Sequence, residues 1–204
     1  MWPILVTSSV AVAVVAERTI WWSLLRAKTN KNKLEEVYEH LESGQIARAS
    51  DVAAQSPDPV LQVIWRGLNH HHTSLENALQ AAAGVELERA GRGLSLLDTI
   101  VTLAPLLGLL GTVIGIMNAF HFVGNEDVAA VKVSGGIAEA LIATSAGLTI
   151  AIGTLLPLNF FSARLAKFTF VLQTAATNVE VLLKASSNAP KPEVQNETAL
   201  ATGA

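Results

Sequence analysis

The stretch Gly135–Leu148 reads GGIAEALIATSAGL, small or apolar throughout except for one acid. Glu139 is the single charge among the 31 residues between Lys132 and Arg164. At 1.5 Å per residue a helix of that length crosses a hydrocarbon core of about 30 Å with turns to spare. An ionised acid within a bilayer is costly, so Glu139 either faces a partner group or a water-filled cavity, or is neutral, and a functional role is the default reading. The competing reading places Ser134 onward in the headgroup layer, with Glu139 near water.

The rest of the chain agrees that the solvent is lipid. Half of the 204 residues are hydrophobic and 15% are charged, with a mean hydropathy of +0.41, whereas an ordinary soluble domain carries about 25% charged residues. No cysteine is present, so a disulfide framework, a thiolate metal site and a cysteine nucleophile are excluded. The net charge is -3, and the positive residues cluster beside apolar runs rather than forming a groove for nucleic acid, which gives no nucleic-acid signal. The expected class is an all-α integral membrane protein with three transmembrane helices and a helical cytoplasmic domain.

Residues 1–26 form the first expected span, its uncharged core Ile4–Ala16 followed by Glu17-Arg18 and the interfacial pair Trp21-Trp22. No positive segment precedes it, and Ala11-x-Ala13 lies inside the run, so it reads as an uncleaved helix. The second span falls within 94–121, whose stretch Thr99–Phe120 is 22 residues without a charge. The third occupies 134–163. Arg18, Arg26, Lys28, Lys31 and Lys33 follow the first span, Arg89 and Arg92 precede the second, and Arg164 and Lys167 follow the third. The loop 122–133 has only Lys132, so that loop and the N terminus are expected in the periplasm and the C terminus in the cytoplasm.

Residues 27–93 then make a cytoplasmic domain of helical hairpins. Leu34, Val37 and Leu41 share a helix face ended by Ser43-Gly44; Asp58-Pro59 caps a helix over Val60–Leu68; Thr73-x-x-Glu76 reads as a capping box for a helix through Glu88. Residues 164–185 continue the third helix into the cytoplasm, and the tail 186–204, with Pro190 and Pro192, is expected to be disordered. The run His70-His71-His72 does not read as a metal site, because consecutive helical residues diverge by about 100°. Within the spans there is no paired aspartate, Ser/His arrangement or phosphate loop, so neither an enzyme nor a cofactor is expected.

Two stripes of small residues stand out. Gly108, Thr112, Gly115 and Ala119 fall within about 60° of one another on a helical wheel, and Gly136, Ala140, Thr144, Gly147 and Ala151 form a matching stripe with Glu139 at its edge. Such stripes let helices approach closely in lipid, so Gly108, Gly111, Gly115, Gly136 and Gly147 read as packing positions. For Thr112 and Thr144, spacing leaves open a hydroxyl that faces a protein neighbour, one that lines a cavity or pore, or one bonded back to its own helix. Pro105 removes one helix hydrogen bond and Pro157 does so late in the third span, each marking a possible bend.

Ala104-Pro105, the run Gly108-Leu109-x-Gly111-Thr112-Val113-x-Gly115-Ile116-Met117, and Gly136-Ile137-Ala138-Glu139-Ala140-Leu141 with Ala143-Thr144 and Gly147-Leu148 together resemble the two signature helices of the MotA/TolQ/ExbB proton channel family. Glu17-Arg18 resembles it more weakly, and three spans match the ExbB/TolQ branch. The chain departs from the pattern with Gly135 and Gly153 where prolines are usual and Leu158 where a tyrosine is usual. The resemblance implies a bacterial inner-membrane motor subunit, assembled as a homo-pentamer around an ExbD/TolR-like one-span partner and driving a TonB/TolA-like protein for outer-membrane transport or envelope maintenance. It implies that Thr112 and Thr144 are pore-lining hydroxyls, that Glu139 is the conducting or gating acid, and that the stripes face the partner. A passive scaffold of the same fold is the alternative.

The lysine and arginine asymmetry predicts that reporters fused at Ser50 and after Lys184 both read out as cytoplasmic. Export of the Ser50 fusion would reverse the orientation.

Overall fold

The computed structural model describes residues 2–69, 74–121 and 129–188, and the described residues are helical with short connections. Seven helices follow in chain order: α1 (Trp2–Lys28), α2 (Lys31–Glu42), α3 (Ile46–Ala54), α4 (Pro59–Asn69), α5 (Leu75–Gly91), α6 (Leu94–Phe120) and α7 (Ala129–Asn188). Three helical stretches are long and apolar enough to cross a membrane: Trp2–Lys28, Leu75–Phe120 and Val131–Ser186.

Short polar side chains set the ends of the domain helices. Asn30 begins α2 by accepting a hydrogen bond from the Lys33 N–H at 3.3 Å. Asp58 has a double role. One of its carboxylate oxygens accepts the Val60 N–H at 2.9 Å, opening α4, and the other accepts the Asn30 N–H at 2.8 Å. A single buried acid thereby satisfies orphan donors at two helix starts and fixes the α1–α2 junction over α4. Ser43 closes α2, and Gly44 follows at φ +70°, a left-handed conformation that favours glycine.

The domain core forms from the apolar faces of α2–α5 closing on α7. Val37, Leu41, Ala49, Ala53, Leu61, Ile64 and Leu79 pack with Leu172, Ala175 and Val179. A second cluster lies where α1, α6 and α7 enter the apolar layer, with Trp22, Ala90, Leu94, Leu97, Leu158 and Phe161 buried together. The domain and the membrane helices are therefore joined through α7, which contributes to both cores.

Several boundaries differ from expectation. The helix α7 begins at Ala129, inside the segment read as a loop, and runs on without interruption through 164–185, the expected extension of the third span. Ala129 to Val133 contains no glycine or proline to stop a helix. The helix α3 is only nine residues long and starts after Gln45 with no side-chain cap, so no capping residue marks it in the sequence; its buried positions are Ala49 and Ala53. Ser74 is the N-cap of α5 and accepts from the Asn77 N–H at 3.5 Å. Thr73, the histidine run, residues 122–128 and the tail from 189 lie outside the described residues. Ser186 to Asn188, the start of the expected tail, continue α7.

Because Leu172 is fully buried in the domain core, Leu172→Ala should lower stability by about 2–5 kcal/mol, read as a fall in the thermal midpoint of the detergent-solubilised protein. Val181→Ala, at a position 58% exposed on the same helix, should change it by less than about 0.5 kcal/mol. Equal effects would remove α7 from the core.

Candidate functional site

The candidate site is built on α6 and α7, which run antiparallel with their small-residue stripes face to face. A Cβ placed on Gly111 would lie 2.6 Å from the Ala143 Cβ, one on Gly115 2.9 Å from the Ala140 Cβ, and one on Gly136 2.8 Å from the Ala119 Cβ. At Gly147 the obstruction is backbone: an added Cβ would stand 2.5 Å from the Ala104 carbonyl oxygen and 3.1 Å from the Gly108 Cα. One on Gly108 would stand 3.1 Å from main-chain atoms of both Ala143 and Thr144. These contacts fix the register, setting Gly108 beside Thr144 and Gly115 beside Ala140. The stripes are thus occupied by one another, rather than being free to face a partner as the resemblance implied.

The three candidate ion-pathway residues take different positions in this hairpin. The Thr144 hydroxyl, half-buried, donates across the interface to the Gly108 carbonyl at 3.1 Å. Of the arrangements left open by spacing, this is the one in which the hydroxyl faces a protein neighbour: it bonds to the adjacent helix. The Thr112 hydroxyl, also half-buried, donates to the Leu109 carbonyl of its own helix at 2.6 Å. Glu139 is exposed on the outside of the pair, and among the described residues it has neither a hydrogen bond nor an ion pair. By the register, Glu139 and Thr112 are separated by about one helical turn, roughly 5 Å, along the helix axes. Glu139 therefore borders the seam within a turn of Thr112 but points away from its packed interior.

Pro105 and Pro157 lie inside α6 and α7, and both helices continue through them. Each proline lacks the N–H that would reach the carbonyl four residues earlier, at Val101 and Gly153. A Cβ placed on Gly153 would meet nothing within 4 Å, so this glycine is not a packing contact.

Two charged residues beside the spans stand apart from the candidate site residues. Arg18, 2% exposed on the first span, ion-pairs with Glu17 and donates through Nη1 to the Arg89 carbonyl at 3.1 Å. That carbonyl is in the last turn of α5, where the chain breaks at Gly93 with φ +79°. The guanidinium caps an end that has lost its next amide donor, with favourable charge for a helix C terminus. Its signal in the sequence is an arginine closing an apolar run. Asp98, exposed on the first turns of α6 beside Ser95 and Thr99, is the second: an acid near the start of a span, at the opposite end of the hairpin from Glu139. Among the described residues no three His, Asp or Glu side chains are grouped to hold a metal ion.

Residues 54–174 match the MotA/TolQ/ExbB proton channel family. An ExbB-like protein of Synechocystis sp., ExbB-like 3, is 32% identical over 198 residues, covering 93% of this chain and 92% of that one. The biopolymer transport protein ExbB of Salmonella typhimurium is 29% identical over 87% of this chain and 82% of its own. The Tol-Pal system protein TolQ of Pseudomonas aeruginosa is 30% identical over 80% and 84%.

The backbone obstruction at Gly147 predicts that Gly147→Ala forces α6 and α7 apart and costs about 1–3 kcal/mol, seen as a lower thermal midpoint in detergent. Gly135→Ala, inside α7 where an added carbon meets nothing within 4 Å, should leave the midpoint unchanged or raise it, since alanine is the better helix former. A neutral Gly147→Ala would show that the hairpin is not held by this contact.

Proposed function

This chain belongs to the MotA/TolQ/ExbB proton channel family, and from that premise we propose that it is the proton-conducting subunit of an energy-transducing complex. Its membrane location follows from the family and from its three apolar spans. In this reading it assembles as a homo-pentamer around an ExbD/TolR-like one-span partner and delivers work to a TonB/TolA-like protein. The α2–α5 domain and the far end of α7 lie in the cytoplasm, as the lysine and arginine distribution favours.

One observation carries the reading: Glu139 is exposed on an apolar hairpin and has no partner among the described residues of its own chain. A carboxylate at that depth is retained where water or another chain meets it. Exposed Val113, Ile116 and Met117 on α6 and Leu141 and Ile142 on α7 flank it with apolar surface for lipid or neighbouring copies. Glu139 is the group assigned to proton uptake or gating. Thr144 has a positioning role, because its hydroxyl ties α7 to the Gly108 carbonyl and so sets where Glu139 emerges. Thr112, one turn away, supports the same stretch of seam and presents its oxygen beside the path.

A second reading, a non-conducting scaffold of the same fold, is favoured by the fact that both threonine hydroxyls already have acceptors inside the chain. Proton flux into liposomes containing the chain and its one-span partner separates the two. Glu139→Ala should reduce flux to background with assembly intact, since it removes the titratable group and adds no bulk. Thr144→Ser, which keeps the donor, should retain flux. Thr144→Val should lose it, together with about 1 kcal/mol of helix-pair stability. Near-normal flux in both Glu139→Ala and Thr144→Val would remove these residues from the conduction path, and absence of flux in the unaltered complex would favour the scaffold.

A further inference from the structure

A cavity of about 720 Å³ opens between α1 and α7 on the side of the membrane that holds the helical domain, away from Glu139 and the α6–α7 seam. Its walls include Trp22, Arg26 and Thr29 of α1 and Phe160, Arg164 and Lys167 of α7. The two ends differ in chemistry. Toward the membrane, Phe160 and Trp22 continue the buried cluster of Leu158 and Phe161; toward the domain stand three cations.

None of these cations has a carboxylate partner among the described residues, and no lining residue is acidic. Arg164 is held in place by its guanidinium carbon lying 4.8 Å from the Phe160 ring centroid. Trp22, 7% exposed, closes the apolar end of the wall and meets Phe168 edge-on with ring centroids 6.2 Å apart.

From this geometry we infer that the cavity binds an anionic glycerophospholipid of the adjoining leaflet, its phosphate among Arg26, Arg164 and Lys167 and its chains along the apolar wall. Three features select this occupant. The cavity spans the boundary between apolar core and aqueous layer, where a phosphate group resides, and paired tryptophans at Trp21 and Trp22 mark that level. The apolar end has no counterpart in a free phosphate ion. Three unpaired cations favour a headgroup with net negative charge, whereas the choline of a zwitterionic lipid would bring a fourth positive charge into the same space. Long basic side chains whose stems lie along apolar surface reach this level readily. The lipid would join α1 to α7 at the point where α7 leaves the membrane.

The test is native mass spectrometry of the full chain in neutral detergent, titrated with phosphatidylglycerol, phosphatidylcholine and inorganic phosphate. The unaltered protein should bind phosphatidylglycerol at least about tenfold more tightly than phosphatidylcholine, given the three nearby cations. Millimolar phosphate should not displace it. Combining Arg26→Gln, Arg164→Gln and Lys167→Gln should bring phosphatidylglycerol to the phosphatidylcholine level, while Arg48→Gln, an exposed position on α3, should not. Equal affinity for the two lipids would overturn the proposal, as would unchanged binding in the triple variant. Displacement by phosphate would overturn it too, by assigning the site to a free anion. If the triple variant does not fold, the lipid ratio and phosphate competition on the unaltered protein still decide the matter.

Discussion

The close approach of two backbones, α6 and α7, organises the rest of the molecule. In lipid there is no hydrophobic drive between helices, so van der Waals contact and short-range polar bonds hold them. Gly147 and Gly108 permit this because any side-chain carbon there would meet main-chain atoms. With the backbones in contact, the register is no longer adjustable. Thr144 reaches the Gly108 carbonyl, Ala140 fills the space beside Gly115, and Glu139, one residue away from Ala140, turns outward. The exposure of the acid follows from the packing of its neighbours.

The first span is held differently, by charge rather than by smallness. Arg18 is buried where α1 leaves the apolar layer, paired with Glu17, 5.4 Å from the Trp21 ring centroid, and bonded to the last turn of α5. A lone buried guanidinium would be unfavourable; one that caps a broken helix and has its counter-ion alongside is compensated. The left-handed turn at Gly93 creates the free carbonyl, and Val14 of α1 packs over that turn, 3.1 Å from where a glycine side chain would begin. The break between α5 and α6 and the seating of α1 therefore depend on each other.

Much of this was legible in the residues. Apolar runs bounded by charge located the three spans, and the dipeptides Ser43-Gly44 and Asp58-Pro59 marked true helix ends, because capping chemistry is local and leaves a local trace. Small-residue spacing identified Gly108, Gly115, Gly136 and Gly147 as packing positions. It did not reveal which surface they meet, since a wheel shows a face but not its neighbour. The same limit applies to Thr144, whose acceptor is 36 residues away, and to the second carboxylate bond of Asp58, across 28 residues. The helix α3 was hidden for another reason: it is only nine residues long, and Gln45 at its start makes no side-chain cap that would mark it.

The continuity of α7 has a mechanical consequence. Its 60 residues make a rod of about 90 Å at 1.5 Å per residue, clamped to α6 near one end and embedded through Leu172, Ala175 and Val179 in the domain toward the other. A rod that tilts by about 5° at its membrane clamp sweeps a point about 30 residues further on sideways by about 4 Å, from the same rise per residue. The domain cannot stay still while that happens without breaking its own core. Small angular adjustments among the spans are thereby geared up into translation of the aqueous domain, and a push on the domain is geared down into fine rotation at the seam.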